Sequence, residues 1–167
     1  GARTRTAARL TSSLRRFYRY LLREDEIKED PTALIDAPKP GRPLPKSLSE
    51  EQVDALLNAP EVGSALGLRD RAMLETLYAT GVRVSELVGL TLARLSLNQG
   101  VVRVIGKGGH ERTLPMNEDV IHVLRQYRLA RGGAKAEEPF FRSREGGALS
   151  RNAIYERVRR AAARAGA

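Results

Sequence analysis

Residues 68–115 read LRDRAMLETLYATGVRVSELVGLTLARLSLNQGVVRVIGKGGHERTLP. The first part of this stretch repeats apolar residues at helical spacing and reaches Gly81, and glycine suits the left-handed conformation that ends many helices. The pattern therefore predicts a helix that ends just before Arg83. One stripe of this helix is predicted to be buried, and its members are Met73, Leu74, Leu77 and Tyr78.

A second, short helix is predicted directly after the first, because Val84, Leu87 and Val88 follow at core spacing. Arg83 then lies at the start of this helix and Glu86 lies one turn further on. Side chains at this separation on a helix are neighbours. The sequence thus predicts a guanidinium held beside a carboxylate.

A β-hairpin is predicted after the second helix. Residues 101–105 and 111–115 have the composition of two strands, and the five residues from Gly106 to His110 between them are rich in glycine. Lys107 is carried on the tip of this hairpin.

Arg83 and Lys107 are the residue types that a site for phosphate chemistry uses. An arginine offers a planar fork for two oxygens, and a lysine offers a mobile charge or a proton. Spacing alone leaves their role open, because Arg83 could simply pair with Glu86, and Lys107 could be a solvated turn residue.

The strings LYATGVRVSELVGL (residues 77–90) and QGVVRVIGKGGHER (residues 99–112) closely resemble the tyrosine recombinases, and within them the bacterial Xer type. The resemblance extends to residues 15–39 and 44–60, so it covers nearly the whole chain, and it is weakest over residues 130–147. In that family an arginine of the TGxRxSEL motif and a lysine of the GKG hairpin are catalytic. The match carries these roles to Arg83 and Lys107. It also implies that Glu86 orients Arg83, and that His110 and Arg112 contact phosphates.

Other catalytic motifs of the family are not found where they are expected. His122 to Arg125 do spell His-x-x-Arg, but they follow the hairpin too early, so we interpret His122 as an ordinary helix residue. None of the five tyrosines has the sequence context of the family's nucleophile. We therefore expect the chain to be a fragment of a longer recombinase, monomeric and inactive by itself.

Composition points to a polyanionic partner. The chain has 167 residues, 41% of them hydrophobic, and a formal net charge of +9, which favours nucleic acid first and an anionic membrane second. No long apolar run predicts a membrane span. The absence of cysteine excludes disulfides, and two histidines without clustered carboxylates argue against a metal centre. The family resemblance implies no cofactor.

Two predicted helices carry the candidate DNA contacts. The helix over residues 6–23 has an apolar face made of Leu10, Leu14, Phe17 and Leu21. An opposite face, which we call the arginine stripe, consists of Arg5, Arg9, Arg16, Arg19 and Arg23. The stripe is predicted to neutralise backbone phosphates, and a merely solvated surface is the alternative. Arg151 and Asn152, at the start of the last helix, and Lys46 are further candidates, with the same alternative.

Further helices follow from local signals. Ser49 with Gln52 predicts a capping box, Asn117 predicts the start of a helix that runs to about Arg131, and Ser150 predicts the start of a last helix. Residues 134–147 are predicted to form a loop with at most one strand.

The whole pattern predicts a mainly helical α+β fold with a small antiparallel sheet. Residues 1–37 would be the last part of a helical core-binding domain, 38–48 a proline-rich linker, and 49–167 the first part of a catalytic domain.

The resemblance implies a cytoplasmic, nucleoid-associated enzyme without a membrane partner, which cuts and rejoins double-stranded DNA at a specific site. It would act in a heterotetramer with a related XerC-like recombinase, under a septal DNA translocase, to resolve chromosome dimers at division. An integrase of a phage or mobile element is the close alternative. A non-catalytic DNA-binding protein is the alternative of a different class.

Overall fold

The computed structural model describes residues 2–36, 47–133 and 135–166, without the side chains of Ala2, Arg3 and Lys107. The chain divides into two compact units between Ser47 and Leu48. The helices are α1 (Ala2–Arg23), α2 (Glu50–Asn58), α3 (Ala65–Thr80), α4 (Val84–Val88), α5 (Glu118–Ala130) and α6 (Arg151–Arg164). The strands are β1 (Leu95–Ser96), β2 (Val101–Ile105) and β3 (Glu111–Pro115).

The second unit has one hydrophobic core, to which α2 to α6 and the sheet all contribute. The helices α3 and α5 form its most extensive helix pair. On β2, Val102 and Val104 are buried and alternate with exposed residues, because successive side chains of a strand point to opposite faces. The predicted mainly helical α+β class is confirmed.

Among the described residues the sheet has three antiparallel strands in the order β1-β2-β3, one more than was predicted. The bounds of β2 and β3 are those predicted, and their register pairs Val101 with Pro115 and Ile105 with Glu111. The additional strand, β1, is only two residues long and pairs Leu95 with Val102.

The end of α3 is as predicted, but its buried stripe is not. Gly81 caps the helix in the left-handed conformation, with φ of 60°. Tyr78 is 64% exposed, so the prediction that it is buried was wrong. A helix turns about 100° per residue, which places Tyr78 opposite Arg69 and Thr76. The buried stripe is centred on Arg69, Ala72, Met73 and Thr76.

The predicted helix caps are confirmed. Ser49 and Gln52 form the capping box of α2, and the side chains of Asn117 and Ser150 accept backbone N–H groups at the starts of α5 and α6. Between these last two helices the described residues form a loop with two isolated β-bridges and no strand. Phe140 and Phe141 of this loop are buried and pack against the ring of Tyr127.

The first unit consists of α1 and a turn-rich segment that returns toward it. The Arg15 side chain donates to the carbonyl of Ile35, and the Asp30 carboxylate accepts from the backbone N–H and the hydroxyl of Thr32, at 2.8 and 2.6 Å. The predicted apolar face of α1 is largely uncovered, since Leu10 is 59% and Phe17 is 53% exposed.

Most of the predicted linker, including Lys46, lies outside the described residues. The division into 1–37, 38–48 and 49–167 stays a prediction. No helix in the described ranges is both long enough and apolar enough to cross a membrane.

Candidate active site

The centre of the candidate site is the carboxylate of Glu86, whose side chain is only 2% exposed. Its Oε1 accepts from Nη1 of Arg83 at 3.0 Å, and its Oε2 accepts from the backbone N–H of Arg83 at 2.8 Å. Oε2 also accepts from Nη2 of Arg112 at 2.8 Å. One buried carboxylate therefore holds two arginines, one from the N-cap of α4 and one from β3. We call this group the Glu86 cluster.

Local sequence explains the pairing of Arg83 with Glu86, but not the contact with Arg112. Arg83 is the N-cap of α4, and a glutamate three residues after an N-cap can reach back to the cap's backbone N–H. The same carboxylate also faces the positive end of the short helix. Arg112 comes from the far strand of the hairpin, 26 residues away, and only the folded sheet brings it to Glu86.

The setting of Glu86 favours its ionised form. Burial by itself would raise the pKa of its carboxyl, but the hydrogen bonds from Arg83 and the charges of Arg112 and Arg83 outweigh burial and lower the pKa below its ordinary value. A lowered pKa favours the charged form of Glu86, which can hold Arg83 in one orientation.

Arg83 is held without being covered. Its side chain is 63% exposed although one end of the guanidinium is fixed on Glu86. An anchored guanidinium with free N–H groups is suited to two oxygens of a phosphate, since its fork geometry is already set.

The hairpin tip meets the Glu86 cluster at Gly106. A Cβ on Gly106 would lie 3.5 Å from Oε1 of Glu86 and 3.7 Å from Nη1 of Arg83. The next residue is Lys107, in a tight turn in which Gly108 and Gly109 have φ of 82° and 79°, a region that favours glycine. The backbone therefore brings the predicted catalytic lysine to a turn that begins beside the predicted catalytic arginine.

Known proteins resemble this chain in sequence and in fold. The model of the phage integrase family matches residues 46–167. The chain belongs to the phage integrase family. It is 53% identical over 163 residues to the tyrosine recombinase XerD of Pseudomonas aeruginosa, a match that covers 95% of this chain and 55% of that protein. The resemblance to Xer-type recombinases is thereby confirmed, and the chain spans about half the length of the curated relatives it matches.

Solved structures of the family share the fold. The crystal structure of XerA recombinase matches with a TM-score of 0.62 and 26% identity, over 73% of this chain and 44% of that one. A lambda integrase dimer bound to a COC′ core site matches with a TM-score of 0.76 and 20% identity, over 99% of this chain and 60% of that one. The second likeness concerns the fold alone.

The remaining candidate DNA contacts of this phage integrase family chain lie on exposed surfaces. All five members of the arginine stripe are exposed on α1, in the first unit. Arg151 and Asn152 are exposed in the first turn of α6, and His110 is exposed at the hairpin, all in the second unit. Arg112 differs from them, because one end of its guanidinium is engaged by Glu86. The roles of all these residues stay predictions.

Sequence reasoning missed a second group of charged residues, which we call the Asp70 cluster. Arg69 is 3% exposed and donates through Nε and Nη2 to Oδ1 of Asp70, at 2.8 and 2.7 Å. Its Nη1 donates to the carbonyl of Arg142, and Nε of Arg157 donates to the same Asp70 oxygen at 3.1 Å. The one available signal was that Arg69 falls on the stripe of Ala72 and Met73 at helical spacing.

Proposed function

We propose that the protein to which this chain belongs is a site-specific tyrosine recombinase of the Xer type, which cuts and rejoins DNA through a 3′-phosphotyrosyl intermediate. The observation that carries the proposal is the exposed guanidinium of Arg83, fixed on buried Glu86 beside the turn that bears Lys107. The identity of 53% to a protein named tyrosine recombinase XerD supports it.

The proposed chemistry is a phosphoryl transfer in two steps. A tyrosine hydroxyl attacks the phosphorus of the backbone, a bond forms between the tyrosine oxygen and the 3′-phosphate, and the bond to the 5′-oxygen breaks. A 5′-hydroxyl of another strand then attacks the phosphotyrosine and releases the tyrosine. We expect the nucleophilic tyrosine outside these 167 residues, since none of the chain's five tyrosines has its sequence context.

Each residue of the site has one role in this scheme. Arg83 stabilises the negative charge that develops on the non-bridging oxygens of the phosphate, and fixed donors of this kind are usually the largest catalytic term. Lys107 donates a proton to the leaving 5′-oxygen, which a lysine on a hairpin tip can reach once DNA is bound. Glu86 does not touch the substrate, and it keeps Arg83 in place.

DNA binding would come from basic and polar side chains of both units. The arginine stripe of α1 and Lys46 contact the backbone, while Arg151 and Asn152 reach into a groove from the start of α6. His110 and Arg112 contact phosphates next to the scissile one.

The wider role we propose is the resolution of chromosome dimers in the nucleoid of the cytoplasm. The protein would act with a XerC-like recombinase in a heterotetramer and under a septal DNA translocase. The XerD similarity supports this assignment. A phage or mobile-element integrase would share the chemistry and differ in its target site.

The test uses the protein encoded by the whole gene and a suicide DNA substrate, with covalent protein–DNA adduct measured on a denaturing gel. We expect adduct from the wild type, and strong loss of adduct without loss of DNA binding in Arg83→Ala and Lys107→Ala. Arg128→Ala, which removes an exposed arginine of α5, is the matched control and should leave adduct unchanged. Tight, salt-dependent binding without any adduct would instead indicate a non-catalytic DNA-binding protein.

A further inference from the structure

A cavity of about 420 Å³ opens between the end of α2, the start of α3 and α6. Its apolar walls include Pro60 and Leu66, but its charged lining is almost entirely cationic. Five arginines line it, and Asp70 is the one acidic residue among the described lining residues. The arginines are Arg69, Arg144, Arg157, Arg160 and Arg164.

The charges in this cavity do not balance. The single carboxylate of Asp70 already faces two guanidinium groups, those of Arg69 and Arg157. Nη1 of Arg164 donates to the carbonyl of Ala59 at 3.4 Å and lies 3.9 Å from the carboxylate of Glu61. The Glu61 side chain is 88% exposed, so solvent screens this ion pair strongly. Among the described residues, no carboxylate lies within 4 Å of the guanidinium nitrogens of Arg144 or Arg160.

Part of this excess charge is withdrawn from solvent, since the side chains of Arg69 and Arg157 are 3% and 23% exposed, whereas Arg144, Arg160 and Arg164 are exposed. Burial, and after it the charge of Arg69, lowers the pKa of Arg157. A concave surface with one sign of charge and partly apolar walls concentrates its field, and it attracts counter-ions more strongly than a flat surface does. The cavity therefore attracts a negatively charged group, which the described side chains do not supply.

The cavity is separate from the Glu86 cluster. Arg69 lies in the first half of α3, whereas Arg83 follows its end, and the helix from Arg69 to Thr80 alone is about 16 Å long at 1.5 Å per residue. A phosphate bound by Arg83 therefore does not occupy the cavity.

We propose that this cavity binds a small soluble oxyanion, a phosphate or a carboxylate group, between the guanidinium groups of Arg157, Arg160 and Arg164. Arginine suits this ligand because its fork donates two parallel hydrogen bonds to such groups. The volume accommodates a small anion, whereas a DNA duplex could offer only a backbone phosphate at its mouth. The proposal does not depend on the recombinase assignment.

The test is the thermal unfolding of the protein encoded by the whole gene, in sodium pyrophosphate and in sodium chloride of equal ionic strength. We expect pyrophosphate to raise the Tm of the wild type by about 3 °C or more, since a ligand that binds only the folded state stabilises it. Arg160→Glu should abolish this rise, because it places a carboxylate at the cavity. Arg159→Glu makes the same change on an adjacent exposed residue of α6 that does not line the cavity, and it should keep the rise.

The Tm values of the two variants without pyrophosphate are a second test of the proposal. In sodium chloride alone, Arg160→Glu should have a higher Tm than Arg159→Glu, because its carboxylate supplies the missing negative charge. No rise in the wild type, or equal losses in the two variants, would overturn the proposal and leave only general screening of a basic chain. The affinity for duplex DNA should be equal in the two variants, and a loss confined to Arg160→Glu would assign the cavity to a DNA phosphate instead.

Discussion

The Glu86 cluster and the Asp70 cluster contain the same parts, one carboxylate and two arginines, with opposite burial. In the first, the carboxylate is covered, and the side chains of Arg83 and Arg112 are 63% and 37% exposed. In the second, the guanidinium of Arg69 is covered at 3% exposure, and the Asp70 side chain is 27% exposed. The carboxylate is the buried group in the Glu86 cluster, and an arginine is the buried group in the Asp70 cluster. This difference decides which groups of each cluster can reach a ligand.

A buried carboxylate leaves the outer N–H groups of its arginines exposed to solvent. The N–H groups of a buried arginine, by contrast, already donate to its partners inside the protein. Arg83 keeps free N–H groups toward solvent, as a phosphate ligand requires. Arg69 donates hydrogen bonds to Asp70 and to the carbonyl of Arg142, and these bonds connect α3 to the loop before α6. Counting ion pairs would not separate these two roles, but the exposure of each partner does.

The largest expected effect is on stability, at Asp70. Asp70→Asn leaves Arg69 buried without a counter-charge, which we expect to lower the free energy of unfolding by about 3 kcal/mol. Urea unfolding followed by far-UV circular dichroism measures this loss. Asp54→Asn, an exposed change on α2, is the control and should stay within about 0.5 kcal/mol. Equal small losses in both variants would show that the Asp70 cluster does not stabilise the fold.

The next effect is on catalysis, at Arg83. In the protein encoded by the whole gene, Arg83→Ala should slow adduct formation about 100-fold, the loss typical of removing one donor to a developing charge. The free energy of unfolding should change by less than about 1 kcal/mol, because the side chain is mostly solvated. A loss of stability as large as that of Asp70→Asn would remove the contrast between the two clusters.

Glu86 should show a smaller loss of stability, together with a dependence on pH. Glu86→Gln removes the negative charge between two partly solvated arginines. We therefore expect the free energy of unfolding to fall by about 1–2 kcal/mol. The pKa of Glu86 is lowered in the folded state. Its contribution is therefore complete above the pKa of the unfolded state and is lost as the pH falls through the folded-state pKa.

Urea unfolding of the wild type and of Glu86→Gln between about pH 7 and about pH 3 measures this contribution. The difference in free energy between the two proteins should be constant near neutrality and shrink in acid. A difference that grows as the pH falls would contradict the lowered pKa.

The smallest effect is expected at Arg112. The sequence predicts a phosphate contact, but Glu86 occupies one end of this guanidinium. Arg112→Gln should therefore reduce the slope of log K for duplex DNA against log salt by less than the value of about 0.9 for a full phosphate contact. Arg151→Gln, whose exposed side chain forms no ion pair among the described residues, is the comparison and should reduce the slope by more.

The parts of the fold that local signals control were predictable from the sequence. The glycine cap after α3, the hairpin bounds and the caps of α2, α5 and α6 each depend on a few adjacent residues. The pairing of Arg83 with Glu86 is local too, because Glu86 follows the N-cap Arg83 by three residues. By contrast, β1 has two residues, too few for any periodicity.

What could not be predicted depends on contacts between distant parts of the chain. Periodicity placed Tyr78 in the core because it does not show which side of α3 the rest of the unit covers. The burial of Arg69 depends on a carbonyl 73 residues away, and the second arginine of its cluster is 87 residues from Asp70. The link from Arg112 to Glu86 requires the sheet to have formed.

The uncovered apolar face of α1 has a consequence for how the isolated chain behaves in solution. Leu10 and Phe17 are both more than half exposed, and the arginine stripe lies on the other side of the same helix. At low ionic strength, we expect repulsion between the arginines to keep copies of the chain apart. Added salt screens this repulsion within a Debye length of about 8 Å at 0.15 M and leaves the apolar attraction intact. We therefore expect the solubility of the chain to fall as ionic strength rises, which favours dilute buffers for its purification and storage.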